Sequence, residues 1–455
     1  MINKTVNKTT ISMIVATALM GFAGIMSETA MNVTFPKLVK VFHLSLSSVQ
    51  WVTTIYLLSV AIVMTLSSYI NKRFTEKTAY YTSVSLFILG TIIGASSPDF
   101  TILLIGRVFQ GVSAGLAMPL MFNIIFSRIP TEKLGLWMGF AAMILSLAPS
   151  LGPTYGGLMI DSLCWRMIFI FTLIIPAISL VIAIPHYENS NTHSEQISFD
   201  FLAFLLLSFS LITLLLAINS LAHGSAHYAL FIIFSLLIIG FIWRSSKSKK
   251  EFLNITVFKS LSFTMAIIPF FILQFMNLGG NYIIPNYLQI GFSITSTLAG
   301  FSLLPGTVIG AFFNPLFGKF YDYKGAKIPL FFGPIIVLIS LLFMLVFVKH
   351  MGYITIMILY MVFTFGRVLS FGITNTTAVA HTDKHYRSDA SAIFQTSQQF
   401  AGALGTTTVA LITDKNSDIK ISMSDTLVLF IFLTILIFVM YQVMFKTKAY
   451  KRNKF

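Results

Sequence analysis

The stretch TTISMIVATALMGFAGIMSETAMNVTFP, Thr9 to Pro36, decides how the chain is read. It is long enough to cross a bilayer as a helix, for which about 20 apolar residues suffice, yet it carries one charge, Glu28. A charged side chain at membrane depth costs at least about 2.5–3.5 kcal/mol on insertion scales, so such a group faces a cavity or a partner and marks an ion or substrate path. The competing reading is a helix that ends early and leaves the acid solvated at the surface. Two further apolar turns from Thr29 to Pro36 argue against it. The run is also too long for a signal-peptide core and lacks a small-residue cleavage site, so it reads as a retained helix.

The remainder of the 455 residues extends this pattern. A hydrophobic share of 56% and a mean hydropathy of +0.85 exceed those of a soluble globular domain. Apolar runs recur near 11–34, 49–70, 79–97, 101–126, 135–160 and 166–184, then 200–219 and 226–243, then 262–287, 295–318, 328–348, 352–378, 390–412 and 426–445. The expected fold is therefore an all-α polytopic membrane protein with 14 transmembrane helices arranged six, two and six. Residues 1–184 form an N-terminal six-helix bundle, 185–260 two linker helices with their flanking loops, and 261–455 a C-terminal six-helix bundle with a tail. An even number of spans puts both termini on one side. Placing them in the cytoplasm leaves only Lys37, Lys40, Arg166, Lys349, Lys415 and Lys420 on the outer segments, while most of the 30 basic residues fall inside. The inner segment Pro185–Asp200, with two glutamates and no Lys or Arg, runs against that rule. The net charge of +15 is spread through short loops and makes no nucleic-acid footprint. Cys164, as the single cysteine, excludes an intramolecular disulfide and a cysteine-cluster metal site, and the eight histidines form no metal constellation. No cofactor and no enzymatic centre are expected.

Several motifs carry a resemblance. GKFYDYKGAK, with Gly318, Lys319, Asp322, Gly325 and Lys327, resembles the cytoplasmic loop signature of the major facilitator superfamily, which in that family gates the inner side. The corresponding first copy has Ser68, Lys72, Thr75 and Lys77, so the family's Asp is replaced by Lys72. GRVFQGVSAGLAMP, with Arg107, Gln110 and Gly111, resembles the signature of proton-coupled members. APSLGPTYGG, with Gly152, Pro153, Gly156 and Gly157, followed by Trp165 and Arg166, is similar to the antiporter signature found in exporters. Glu28, Thr29, Asn32 and Pro36 resemble the end of the first helix in the fourteen-helix drug:proton antiporters of Gram-positive bacteria, with Glu where Asp is usual. YLQIGFSITSTLAGFSLLPG (Tyr287–Gly306) and ASAIFQTSQQFAGALG (Ala390–Gly405) resemble the same family, so the likeness spans the chain.

The resemblance implies two bundles around a central cavity with alternating access, in a bacterial cell membrane. It also implies Glu28 and Arg107 as the proton-coupling pair facing each other across that cavity. Polar and aromatic residues on helices expected to line it make Phe22, Asn32, Trp51, Tyr56 and Gln110 candidates in the first half. Gln274, Asn277, Asn281, Tyr282, Gln395 and Gln398 are those of the second. Arg367, isolated in its span, either meets an anionic group on a substrate or pairs with helix carbonyls. The family implies proton-driven export of amphiphilic, mainly cationic or zwitterionic drugs and dyes, by a monomer whose partners are small molecules, protons and lipid. The proton gradient is the energy source. A narrow exporter of tetracycline, a lipid or a metabolite is the alternative on the same fold, and a non-transporting membrane sensor a second alternative.

Overall fold

A computed structural model describes residues 7–130, 133–185, 198–221, 227–248, 250, 252–380, 382 and 387–446. The regular elements are helices. The first group is α1 (Lys8–Met31), α2 (Phe35–Phe42), α3 (Leu46–Val49), α4 (Trp51–Thr65), α5 (Ser67–Arg73), α6 (Glu76–Ser96), α7 (Phe100–Arg128), α8 (Leu134–Ser162), α9 (Met167–Thr172) and α10 (Ile174–Ala183). Two helices follow, α11 (Phe201–Ser220) and α12 (His227–Lys247). The last group is α13 (Leu261–Phe292), α14 (Ser296–Phe301), α15 (Leu304–Lys324), α16 (Lys327–Phe347), α17 (Tyr353–Ala380), α18 (Arg387–Lys415) and α19 (Ile419–Lys446).

Side-chain caps start many of these helices. Asp99 accepts from the Ile102 N–H at 2.9 Å, Thr75 from Thr78 at 3.1 Å and Asp200 from Ala203 at 3.2 Å, each meeting one of the donors a helix start leaves unpaired. Within the first group α6 packs on α7 and α1 on α8; within the last, α16 packs on α17 and α13 on α18 and α19. α4 packs against α18, and α8 against α14 and α15, so the two groups meet along two seams. α11 rests on the α4–α18 seam and α12 rests on α11, with most of α12 turned outward.

Twelve stretches among the described residues are long and apolar enough to cross a membrane, fewer than the fourteen expected. The two differences have separate causes. The run at 166–184 is helical only over Met167–Ala183, 17 residues and so too short, and it breaks at Leu173, where Pro176 has no N–H for the Thr172 carbonyl. The run at 390–412 is one unbroken helix, α18, but its low mean apolarity reflects glutamines and threonines that turn into the protein interior.

The deciding stretch is also shorter as a helix than expected. α1 stops at Met31, residues 32–34 turn, and α2 begins at Phe35 with Pro36 in its first turn. Yet Thr29 to Phe35 remain buried, so protein packing rather than two more helical turns keeps water from Glu28. The second signature loop is a correction too. Residues 318–324 are the last turns of α15, and only Gly325 and Ala326 separate α15 from α16. Gly325 has φ 73°, a left-handed conformation that a Cβ disfavours, which is the local reason for glycine there. The expectations that fall on residues 186–197, on the tail 447–455, on His223 and on the side chain of Asp322 lie outside the described residues.

Candidate functional site

A cavity of about 450 Å³ lies between the two groups of helices. α1 contributes Glu28 and Thr29, α7 Met118, Phe122 and Phe126, and α8 Met138 and Pro149. The opposite wall is richer in amides, with Gln274, Asn277 and Asn281 from α13, Asn314 from α15, Asn375 from α17 and Gln395, Gln398 and Gln399 from α18. Arg367 of α17 joins that wall. Among the described lining residues Glu28 is the one acid and Arg367 the one base. The chemistry is that of an amphiphile site, with methionines and phenylalanines on one side, hydrogen-bonding amides on the other, and one charge of each sign.

The cavity reaches one end of the molecule, where Met64, Phe126, Met138 and Ser391 stand near helix termini, and is shut at the other. Three contacts close that far end. Asp161, in the last turn of α8, accepts from both the backbone N–H and the hydroxyl of Thr297 at 2.7 Å. Asp414, in the last turn of α18, accepts from the Ser47 N–H at 3.2 Å and from its hydroxyl. Gln289 donates to the Val33 carbonyl at 3.1 Å. Between them the helices touch through glycine: a Cβ on Gly157 would collide with the Ser296 carbonyl, and one on Gly300 with that of Pro153. Gly152 and Gly156 seat the other face of α8 on α1 at Met26–Val33, directly beside Glu28. At the open end Gly318, Gly325 and Lys327 are exposed, and Arg128 pairs with Glu76 to tie α7 to α6.

Glu28 is 5% exposed and faces the cavity. Arg107 is fully buried, but it does not face Glu28 across the cavity as expected. It lies behind Glu28, enclosed by α1, α4 and α7. Its Nη1 donates to Ser27 Oγ at 2.9 Å and to Gln110 Oε1 at 2.7 Å, and its Nε to the Val52 carbonyl at 3.0 Å. Tyr56 stacks on the guanidinium at 4.4 Å, and Gln110 is anchored in turn to Thr91 at 2.8 Å. No ion pair between Arg107 and Glu28 is present among the described residues.

The structure thus brings Glu28, Gln274, Asn277, Asn281, Arg367, Gln395 and Gln398 together on the cavity wall and leaves the other candidates off it. Tyr56 and Gln110 belong to the arginine enclosure. Asn32 accepts from Thr53 at 3.1 Å, Tyr282 packs on Phe35 with ring centroids 5.4 Å apart, Trp51 packs against the α4–α18 seam, and Phe22 is half-buried on α1. Sequence reasoning singles out neither the apolar lining nor six polar lining residues: Asn314, Asn375, Ser146, Thr307, Ser391 and Gln399. An amide inside an apolar run was the available signal for the first two. Asp161 and Asp414 are not among the sequence candidates, which rank acids at helix ends below Glu28. A carboxylate in a helix's last turn opposes the helix dipole, and that was the sign of a partner elsewhere.

The Major Facilitator Superfamily model matches residues 17–406. Similar proteins include two named lincomycin resistance protein LmrB. That of Listeria innocua is 33% identical over 86% of this chain and 84% of its own length, and that of Bacillus subtilis 31% identical over 85% and 82%. A crystal structure of the peptide transporter POT superposes with a TM-score of 0.71 at 15% identity over 95% of this chain and 94% of the other, a likeness of fold alone. With the helical architecture, a family match across most of its length and relatives named for drug resistance in Gram-positive bacteria, the chain is a multi-pass membrane protein that belongs to the Major Facilitator Superfamily.

Proposed function

We propose that this protein is a proton-coupled antiporter that exports amphiphilic drugs, mainly cationic or zwitterionic. The observation that carries the reading is Glu28, a lone carboxylate on the wall of a cavity large enough for a drug-sized molecule. The names of the lincomycin resistance relatives support drug efflux, and the mixed lining of Met, Phe and amide side chains supports breadth over a single ligand. The division at Pro176 and the polar α18 are read as crossings, which makes fourteen. The Lys/Arg bias puts both termini in the cytoplasm, so the open end of the cavity faces inward.

Alternating access follows from rocking of residues 1–184 against 261–455 about the seams. Protonated, Glu28 is neutral and tolerates being sealed among apolar helices. Deprotonated toward the cytoplasm, it attracts a cationic substrate, so proton and drug compete for one carboxylate and cannot leave together. Arg107, held by Ser27 one residue away, fixes the position of Glu28. One acid on the wall means one proton per cycle. Exchange for a monovalent cation is then electroneutral, while export of a zwitterion moves net charge worth about 2.3 kcal/mol per 100 mV.

The test is dye efflux in everted vesicles with an imposed pH gradient. Gradient-driven transport of ethidium is expected in the wild type and absent in Glu28→Gln, whose thermal unfolding should match the wild type. Undiminished gradient-driven transport by Glu28→Gln sinks the assignment.

A further inference from the structure

Arg367 is the feature the antiport cycle leaves unused. It sits in the middle of α17, its guanidinium 5.6 Å from the ring centroid of Phe371, and its buried Nε donor has no acceptor. No carboxylate pairs with it among the described residues. Its own helix turns a stripe of 367, 368, 371, 372 and 375 to the cavity, and Gly372 leaves room there beside the Asn314 side chain of α15. Asn375, about 12 Å further along that stripe, holds a buried Oδ1 with no donor. Buried polar groups in folded proteins nearly always have partners, and here a cation with no hydrogen bond to the chain among the described residues and an amide with an unmatched acceptor share one cavity wall, so the protein itself does not complete their bonding. A guanidinium presents a planar fork of donors whose natural complement is a carboxylate.

We propose that Arg367 is an anion subsite that recognises the carboxylate of a transported amphiphile, while Glu28 on the opposite wall takes its ammonium group. The inference rests on the drug-transport reading of the cavity and deepens it, since it selects zwitterions over simple cations of the same size. The two subsites play different parts. An ammonium at Glu28 competes with the proton. A carboxylate at Arg367 does not, so Arg367 sets specificity without setting stoichiometry. A lipid phosphate offers related chemistry and enters the test as a competitor.

The probes are norfloxacin, which carries a carboxylate and a piperazinium, and its ethyl ester, which keeps the amine and loses the acid. Affinities are measured on the purified full chain in detergent by the fluorescence of the quinolone. The wild type should bind norfloxacin at least about tenfold more tightly than the ester, the worth of a charge-assisted pair. In Arg367→Gln that ratio should fall to near one, and Arg367→Lys, a cation without the fork, should keep part of it. A wild-type ratio near one overturns the proposal. So does a ratio that Arg367→Gln leaves unchanged because both affinities fall together, which would make Arg367 a structural residue. If the substitution instead abolishes inhibition by dioleoylphosphatidylglycerol and spares the ratio, the anion is a lipid headgroup and the proposal fails. Binding in detergent needs no gradient, so a failure of proton coupling in the vesicle assay is read separately from a failure of this subsite.

Discussion

The two arginines buried in membrane-spanning helices, Arg107 of α7 and Arg367 of α17, stand in opposite halves and are treated in opposite ways. Arg107 is wrapped: three hydrogen bonds and an aromatic face meet its guanidinium, leaving Nη2 alone without an acceptor, and it is fully buried away from the cavity. Arg367 touches a ring and otherwise opens into the cavity with a donor unmet. A cation that the fold grips with hydrogen bonds serves the architecture and holds α1, α4 and α7 in register behind Glu28. A cation on the cavity wall that makes no hydrogen bond among the described residues is held ready for something that is not part of the chain. The same residue type, at the same kind of depth, therefore signals two roles, and the partner list tells them apart.

The most forceful way to break this comparison is to remove the wrapped arginine. Arg107→Met strands the Ser27 hydroxyl, the Gln110 amide and the Val52 carbonyl without their donor, and unmatched buried polar groups cost about 1–3 kcal/mol each. A loss of about 3–5 kcal/mol is expected, read as a large fall in the unfolding midpoint of the purified protein, with efflux lost as a consequence. A variant that melts with the wild type would show that the enclosure does not hold the helices together.

Next in size is the seam that closes the far end of the cavity. Gly157→Leu drives a side chain into the Ser296 backbone, and overpacking of that kind costs about 1–3 kcal/mol. The penalty falls on the closed seam alone, so the population should shift roughly 5- to 150-fold toward the conformer open at that end. Spin labels on Leu163 and Leu298, in a Cys164→Ala background, should report a longer distance in electron–electron resonance. An unchanged distance distribution would mean that α8 and α14 part in neither state. For the unwrapped cation the sign reverses: Arg367→Met discards a desolvated charge with no partner, and its unfolding midpoint should stay level or rise by the equivalent of about 1 kcal/mol. Substantial destabilisation there would erase the contrast between the two arginines.

How much of this was legible in the sequence depends on which neighbour each residue answers to. The bundle was legible because apolar length is a local property, and so was Glu28, since a lone acid in such a run stands out at any register. The glycines of 152–157 were legible as close-approach residues, but not that one face meets α1 and the other meets α14. Arg107 was legible as unusual and misplaced in space, because its setting is built by Val52 and Ser27, 55 and 80 residues away. Tyr56, Gln110 and Asn32 look like cavity residues in the sequence for the same reason. Polarity inside an apolar helix says that a partner exists without saying whether it is protein or ligand. Asn314 and Asn375 carry the same signal and do face the cavity.

The smallest effect supplies the reference point for the comparison, an arginine in the last turn of its helix with an ordinary carboxylate partner just outside the membrane spans. Arg244 Nε lies 3.0 Å from Asp200 Oδ2 and 3.2 Å from Oδ1, tying the end of α12 to the start of α11. Burial pushes the Asp200 carboxyl up, but hydrogen bonds from Ser248, the Ala203 N–H and Arg244, with the Arg244 charge, outweigh it and hold the group below its usual value. A carboxyl whose folded value is depressed contributes stability that is complete above its unfolded pKa of about 3.9 and disappears as pH falls through the folded value. Asp200→Asn keeps the capping oxygen but removes the charge and one acceptor of Arg244 Nε, so at pH 7 it should cost about 1 kcal/mol. The gap between variant and wild type should then close as the pH is lowered below about 4. A gap that persists at low pH would show that the pair works through geometry rather than charge. Arg244 would then be a poor yardstick for the two arginines buried in the helices, whose contrast would have to rest on the measured behaviour of Arg107 and Arg367 alone.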